Sequence, residues 1–213
     1  MTYTRAIGVA CNRIIILIVR GLALSKIHPN ALTFIGLLIN IGAACLLGAG
    51  RFRWAGVVII SAAIFDMVDG RVARETNRVT RFGGFFDSVL DRYSDLALLM
   101  GLLVYYASIE RFFYVVLTAV VMTGAVMVSY TRARAENIIP SCKVGFMERP
   151  ERVVLLIIGA VLDRMAPVLW VIAVMSNLTV AHRMIYTWQE AKRLEEAQLR
   201  PAGRSSHTME RRK

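Results

Sequence analysis

The chain has 213 residues, 56% of them apolar and 19% charged, with a mean hydropathy of +0.54. These values exclude a disordered chain, which needs low hydrophobicity. Three scattered cysteines, Cys11, Cys45 and Cys142, exclude a secreted disulfide scaffold and any zinc-ligand spacing, which leaves a small polytopic membrane protein with an unusual basic excess, net +11.

In chain order, residues 1–26 come first. They lack the pattern of a cleavable signal, because Arg13 and Arg20 bracket the short apolar run 14–19. On a helical wheel Arg5, Asn12, Arg13 and Arg20 share one sector, with Ile7, Ala10, Ile14 and Leu17 mostly away from it. That pattern predicts an amphipathic helix lying on the membrane surface.

Residues 27–188 form the predicted membrane domain. A span needs about 20 mostly apolar residues. Residues 27–50 and 112–131 contain no Asp, Glu, Lys or Arg. The runs 54–65, 96–109 and 153–162 are shorter, and each reaches spanning length only if charged residues at one end join its helix. Residues 165–181 supply a sixth span, with Pro167 near the start, where proline is tolerated. The expected fold is therefore an all-α integral membrane protein of six transmembrane helices plus the N-terminal interfacial helix. The tail, 189–213, is basic; it begins helical, breaks at Pro201-Ala202-Gly203 and is expected to end in disorder.

Orientation follows from Lys and Arg. The termini, the 66–81 region and the 132–152 region carry 21 of the 26, against four on the other side: Arg51, Arg53, Arg111 and Arg164. Both termini are thus expected in the cytoplasm. The basic excess then belongs to a membrane surface and an anionic substrate. Nucleic acid is not an expected partner, since no folded basic domain is left to bind it.

The interrupted spans carry their charges at the cytoplasmic end. Asp66 and Asp69 are spaced i, i+3, and Asp87 and Asp91 are spaced i, i+4, so each pair shares a helix face. If the two helices are antiparallel neighbours, four carboxylates converge at one depth. An Asp at mid-bilayer costs about 2.5–3.5 kcal/mol, so four unpaired would cost about 10–14 kcal/mol. Either Arg71, Arg74, Arg78 and Arg92 neutralise them, or cations do. Gly70, Ala73 and Gly83 punctuate the cluster, and such small residues admit a group close to the backbone. An all-oxygen set without histidine suits Mg²⁺ or Mn²⁺ and not zinc.

Read with its spacings, Asp66-x₂-Asp69-Gly70-x₂-Ala73-Arg74-x₈-Gly83-x₃-Asp87-x₃-Asp91 resembles the signature of the CDP-alcohol phosphotransferases, with every fixed position present. Pro29-Asn30-Ala31-Leu32-Thr33 and Thr80-Arg81-Phe82-Gly83 also fit. The stretches 129–136 and 145–152 resemble one branch of the family, the prokaryotic phosphatidylinositol-phosphate synthases. The resemblance covers roughly residues 33–183.

What it implies is direct transfer: an alcohol attacks the β-phosphorus of CDP-diacylglycerol and CMP leaves. Asp66, Asp69, Asp87 and Asp91 are the implied ligands of two divalent ions, and Asp91 is also the implied proton acceptor. Asn30, Thr33, Gly70, Ala73, Arg74, Thr80 and Gly83 are the implied CDP-lipid contacts. Read without the resemblance, Asn30 and Thr33 are helix-start residues. Arg132, Arg152 and Arg183 resemble the residues that hold the phosphate of inositol phosphate, although related synthases often have Lys where Arg132 stands. Arg149 and Arg152 are equally explained by positive-inside anchoring. The resemblance further implies a homodimer in a cytoplasmic (inner) membrane. His28, His182 and His207 are assigned no chemistry. Glycerol phosphate and serine are rival acceptors; an ion-coupled transporter and a passive anchor are rival classes. A transporter predicts repeat symmetry, and no repeat is evident.

Overall fold

The computed structural model describes residues 29–75 and 80–199, the backbone alone for 29, 68–75, 198 and 199. The N-terminal helix expected over 1–26 and the disorder expected at the end of the tail lie outside the described residues.

Among the described residues there are six helices and no strand: α1 (Pro29–Gly48), α2 (Phe52–Glu75), α3 (Arg81–Ser108), α4 (Phe112–Ala135), α5 (Arg149–Val161) and α6 (Met165–Leu199). Length and composition suit three of them to crossing a membrane: Asn30–Gly48 in α1, Phe112–Ala135 in α4 and Met165–Ala197 in α6. The other three fail for identifiable reasons. α2 and α3 are long enough, with 24 and 28 residues, but each carries acidic and basic side chains at one end. α5 has 13 residues, about 20 Å at 1.5 Å per residue. α6 is the opposite case, continuing unbroken through 189–199 into the basic tail.

The helices pack as a closed ring, α1–α2–α5–α6–α4–α3 and back to α1. Among the described residues α1 packs against both α2 and α3. The second contact turns on Gly101. A Cβ on it would lie 2.2 Å from the Ala44 carbonyl oxygen, so the backbones of α1 and α3 are in contact. Small residues at a crossing permit such an approach.

The three turns at one end of the ring are alike. Gly50, Glu110 and Asp163 take left-handed φ values of 71°, 57° and 56°. In each turn the next N–H, on Arg51, Arg111 or Arg164, reaches back to Leu46, Tyr106 or Gly159. This is the Schellman closure, which satisfies carbonyls at a helix end. The described connection 136–148 is at the opposite end, with the charges.

The interior is apolar, built on Leu47, Ile59, Leu98, Leu102, Val121, Leu169 and Ile172. Trp54, Phe112, Trp170 and Val174 are exposed on the outside. So large an apolar exterior is what a bilayer covers.

Candidate active site

On α1, Asn30, Thr33, Gly36 and Asn40 fall on one face by helical spacing. Gly36 makes room there, since a Cβ on it would stand 2.7 Å from Asp66 Oδ1. Deeper along the face, buried Asn40 donates Nδ2 to its own helix at Gly36 O, 3.1 Å. At the start of α3 the Thr80 hydroxyl accepts the Gly83 N–H at 2.9 Å, the N-cap bond of that helix. A Cβ on Gly83 would lie 2.9 Å from Thr80 Oγ1 and 3.4 Å from Asn30 Oδ1. The structure therefore brings Asn30, Thr80 and Gly83 together where α1 meets α3. Thr33 is buried one turn further in. Asp69, Gly70, Ala73 and Arg74 lie in the last turns of α2, and their side chains are outside the described set.

Asp87, Asp91 and Asp95 follow one another by single turns on α3. Asp87 is exposed, Asp91 half-buried and Asp95 only 6% exposed. Their counter-ion comes from α5. Arg149 places Nη2 2.8 Å from Asp66 Oδ2 and Nη1 2.9 Å from Asp91 Oδ1, with Nε 3.6 Å from Asp95 Oδ1. Arg152, one turn on, reaches Asp95 Oδ2 with Nη2 at 2.5 Å and is 3% exposed. Arg92, an expected partner of the acids, instead donates to Ser88 O on its own helix.

The start of α5 is fixed locally. Glu148 is the N-cap, Pro150 occupies the first turn, and the Glu151 carboxylate accepts the Glu148 N–H at 3.1 Å. Proline suits that turn because its missing N–H would go unpaired there anyway. The connection before it is pinned on α6, where Thr179 Oγ1 accepts the N–H groups of Phe146 and Met147 at 3.2 and 3.1 Å. Gly145, at φ 117°, passes so near that a Cβ would lie 2.4 Å from Thr179 Cγ2.

The same connection assembles the basic residues. Glu148 Oε1 accepts from Arg132 Nη1 at 3.2 Å and from Arg183 Nη2 at 2.6 Å. Arg183, 1% exposed, also donates Nε to Val144 O at 2.8 Å and Nη1 to Val128 O at 2.5 Å. Arg132 pairs in addition with Glu136 at 3.1 Å. Arg132 and Arg183 thus meet through Glu148, and Arg152 follows Glu148 by one helical turn. Two of Arg152's nitrogens, Nε and Nη1, are buried without a hydrogen-bond partner.

Among the described residues no three acidic or metal-ligating side chains stand close enough to hold one ion. The Arg149 guanidinium sits between Asp66 and Asp91, and the Asp69 side chain lies outside the described set. The donor chemistry nevertheless fits a hard divalent cation. Every candidate ligand is a carboxylate oxygen, and Asp66, Asp87 and Asp91 outnumber the single guanidinium that bridges two of them. Below this charge layer a cleft of about 350 Å³ runs between α2 and α5. Asp66, Asp95 and Arg149 lie at its polar end, and Ile59, Leu98, Val153 and Ile157 along its apolar part.

From the sequence alone Asp95, Gly36 and Glu148 had no role, and Arg149 had only positive-inside anchoring. Asp95 was the most accessible, since it continues the Asp87–Asp91 stripe by four. Gly36, Glu148 and the bridging role of Arg149 carry no local signal; Arg149 and Asp66 are 83 positions apart.

The CDP-alcohol phosphatidyltransferase family model matches residues 26–189. An archaetidylinositol phosphate synthase of Pyrococcus horikoshii is 34% identical over 83% of this chain and 90% of its own length. A phosphatidylinositol phosphate synthase of Mycobacteroides abscessus is 35% identical over 73% of this chain and 75% of its own. Among solved structures, the Mycobacterium tuberculosis phosphatidylinositol phosphate synthase with CDP-DAG bound superposes with a TM-score of 0.76 at 31% identity, covering 83% of this chain and 94% of that one. The same enzyme in complex with manganese and citrate gives 0.74 at 31% identity, over 80% and 87%.

Proposed function

Because the chain belongs to the CDP-alcohol phosphatidyltransferase family, we propose that it transfers the phosphatidyl group of CDP-diacylglycerol to a hydroxyl of inositol phosphate. CMP is released and phosphatidylinositol phosphate is formed. The single observation that carries this reading is the meeting, at one end of the ring, of a carboxylate cluster with a cluster of arginines. The first suits a metal-bound diphosphate and the second a phosphorylated acceptor. The similar enzymes are named for two lipids, archaetidyl and phosphatidyl, but both names carry inositol phosphate.

Asp66, Asp69, Asp87 and Asp91 would hold the divalent ions, proposed as two Mg²⁺ or Mn²⁺. Bound there, the metal withdraws charge from the diphosphate and stabilises attacking and leaving oxygens. The chain's own groups do the rest. Asp91, half-buried and paired with Arg149, takes the proton of the attacking hydroxyl. Asn30, Thr33, Thr80 and Gly83 orient the nucleotide against the starts of α1 and α3, with Gly70, Ala73 and Arg74 contributing from α2. Arg132 and Arg152 bind the acceptor phosphate, for which the guanidinium fork is suited. Arg183, its three nitrogens already engaged, holds Glu148 and the connection in register around it. The apolar cleft below the carboxylates receives the lipid end of the donor.

An acceptor panel tests the reading. With CDP-diacylglycerol and Mg²⁺, purified protein should release CMP only when inositol phosphate is added, and thin-layer chromatography should show a phosphorylated inositol lipid. Equal or better turnover with serine, glycerol phosphate or free inositol would overturn the acceptor assignment. Running the panel with the ether-lipid counterpart of the donor reports which lipid is preferred.

We further propose six spans and a homodimer in the cytoplasmic membrane, with the carboxylates and both termini on the cytoplasmic side. The 21-to-4 distribution of Lys and Arg supports the orientation. Single cysteines placed at Arg78 and at Arg111 should label from opposite faces of inverted vesicles, Arg78 from the cytoplasmic one. Native mass spectrometry should report the dimer. The reverse labelling would place the carboxylates on the wrong side for cytoplasmic nucleotide.

A further inference from the structure

We propose that Arg149 is a displaceable placeholder: its guanidinium occupies the cation position between Asp66 and Asp91 until a divalent metal displaces it. The inference rests on the metal reading of the carboxylates given above and extends it to a residue outside the family signature.

The bonding of Arg149 is that of a temporary occupant. It gives one nitrogen to Asp66 at 2.8 Å and another to Asp91 at 2.9 Å, so it bridges two carboxylates without forking either. Its Nε is buried and has no hydrogen-bond partner. Leaving a buried donor unmade carries a desolvation cost, which is relieved when the side chain swings out. Arg183 shows the contrast of a permanent strut: Nε, Nη1 and Nη2 are each bonded, two of them to backbone carbonyls.

Departure is also geometrically open. Arg149 is the first residue of α5, and its side chain is 28% exposed. Asp95 is not orphaned when it goes, because Arg152 holds it independently at 2.5 Å. Asp66 and Asp91, the two carboxylates it does release, are the two proposed to bind metal. Without any cation these half-buried acids would repel each other across the α2–α3 gap. The placeholder thus keeps the helices together in the metal-free protein, and it is freed as a cation beside the diphosphate once metal arrives.

The placeholder lowers apparent metal affinity by the fraction of molecules in which the site is free. If Arg149 is bound in nine molecules of ten, the apparent Kd for Mn²⁺ is raised about tenfold. Mn²⁺ binding to detergent-purified full-length protein, read by electron paramagnetic resonance without substrate, tests this. Arg149→Gln should bind Mn²⁺ about tenfold more tightly than wild type, with Arg149→Lys between them. The wild type supplies an arm that needs no substitution. Arg149 should react about tenfold faster with hydroxyphenylglyoxal when Mn²⁺ is present, as peptide mass spectrometry reports, because the freed guanidinium is the reactive one. Should Arg149→Gln fail to fold, that arm decides alone. Unchanged or weaker Mn²⁺ binding in a folded Arg149→Gln, or no acceleration of labelling, overturns the placeholder. Asp66→Asn separates the two ideas. If it abolishes wild-type Mn²⁺ binding while Arg149→Gln changes nothing, the metal site stands and the placeholder falls; if Mn²⁺ binds regardless of Asp66, both fall.

Discussion

Replacing Asp66 by Ala is expected to reduce phosphatidyl transfer at least about a thousandfold, a rise in the barrier of about 4 kcal/mol. The expectation comes from position. Asp66 is the one described carboxylate that α2 brings to the α3 stripe, and Gly36 on α1 leaves the space its oxygens fill. Asp69 and Asp87 should behave alike, since a hard cation needs several oxygens and, among the described residues, no nearby histidine or cysteine substitutes for a lost one. CMP release measures the effect, and EDTA should reproduce it in the wild type. Elution as a monodisperse species would show that the variant still folds; Asp66→Asn, with nearly the same shape, guards against a packing artefact. Full turnover in EDTA would remove metal from the mechanism.

Arg152→Ala is expected to raise the acceptor KM about ten- to a hundredfold, through the loss of charge-assisted hydrogen bonds of about 1.5–3 kcal/mol. The KM for the CDP-lipid should stay nearly constant, because the proposed nucleotide contacts lie on α1, α2 and α3. The structure adds a second consequence that the sequence did not suggest. Buried Asp95 would lose its 2.5 Å partner and keep only the 3.6 Å contact with Arg149 Nε, and breaking a buried ion pair by removing one partner costs up to about 3–5 kcal/mol of stability. Arg152→Lys separates the two effects. It keeps a cation for Asp95 but loses the nitrogens Nε and Nη1, which have no partner in the substrate-free chain. It should fold normally and still show a raised acceptor KM. An unchanged acceptor KM in Arg152→Lys and Arg152→Ala would leave Arg152 with Asp95 alone.

Much of the site was legible in advance because its residues are close in sequence. Asp66 and Asp69 are one turn apart, as are Asp87 and Asp91, and helical periodicity converts such spacing into a shared face. Thr80 and Gly83 meet for the same reason: a threonine three residues before a backbone N–H is the geometry of an N-cap. The helices were legible too, down to the start of α4 at Phe112 and of α6 at Met165. What the sequence did not signal was the backbone approach of Gly101 to Ala44, which seats α3 on α1.

By itself, then, the amino-acid order determined the helical class of the molecule and the placing of its carboxylates, through local rules of hydropathy and periodicity, while the family came from the resemblance of the 66–91 signature. Only the tertiary structure decided what neutralises those carboxylates. Arg149 faces Asp66 across 83 positions and Arg152 faces Asp95 across 57, while Glu148 gathers Arg132 and Arg183 from two other helices. Such partners are chosen by where α5 enters the ring. That entry is fixed by Thr179 of α6 and by Gly145 on the connection before α5, and no helical repeat relates residues so far apart in the chain.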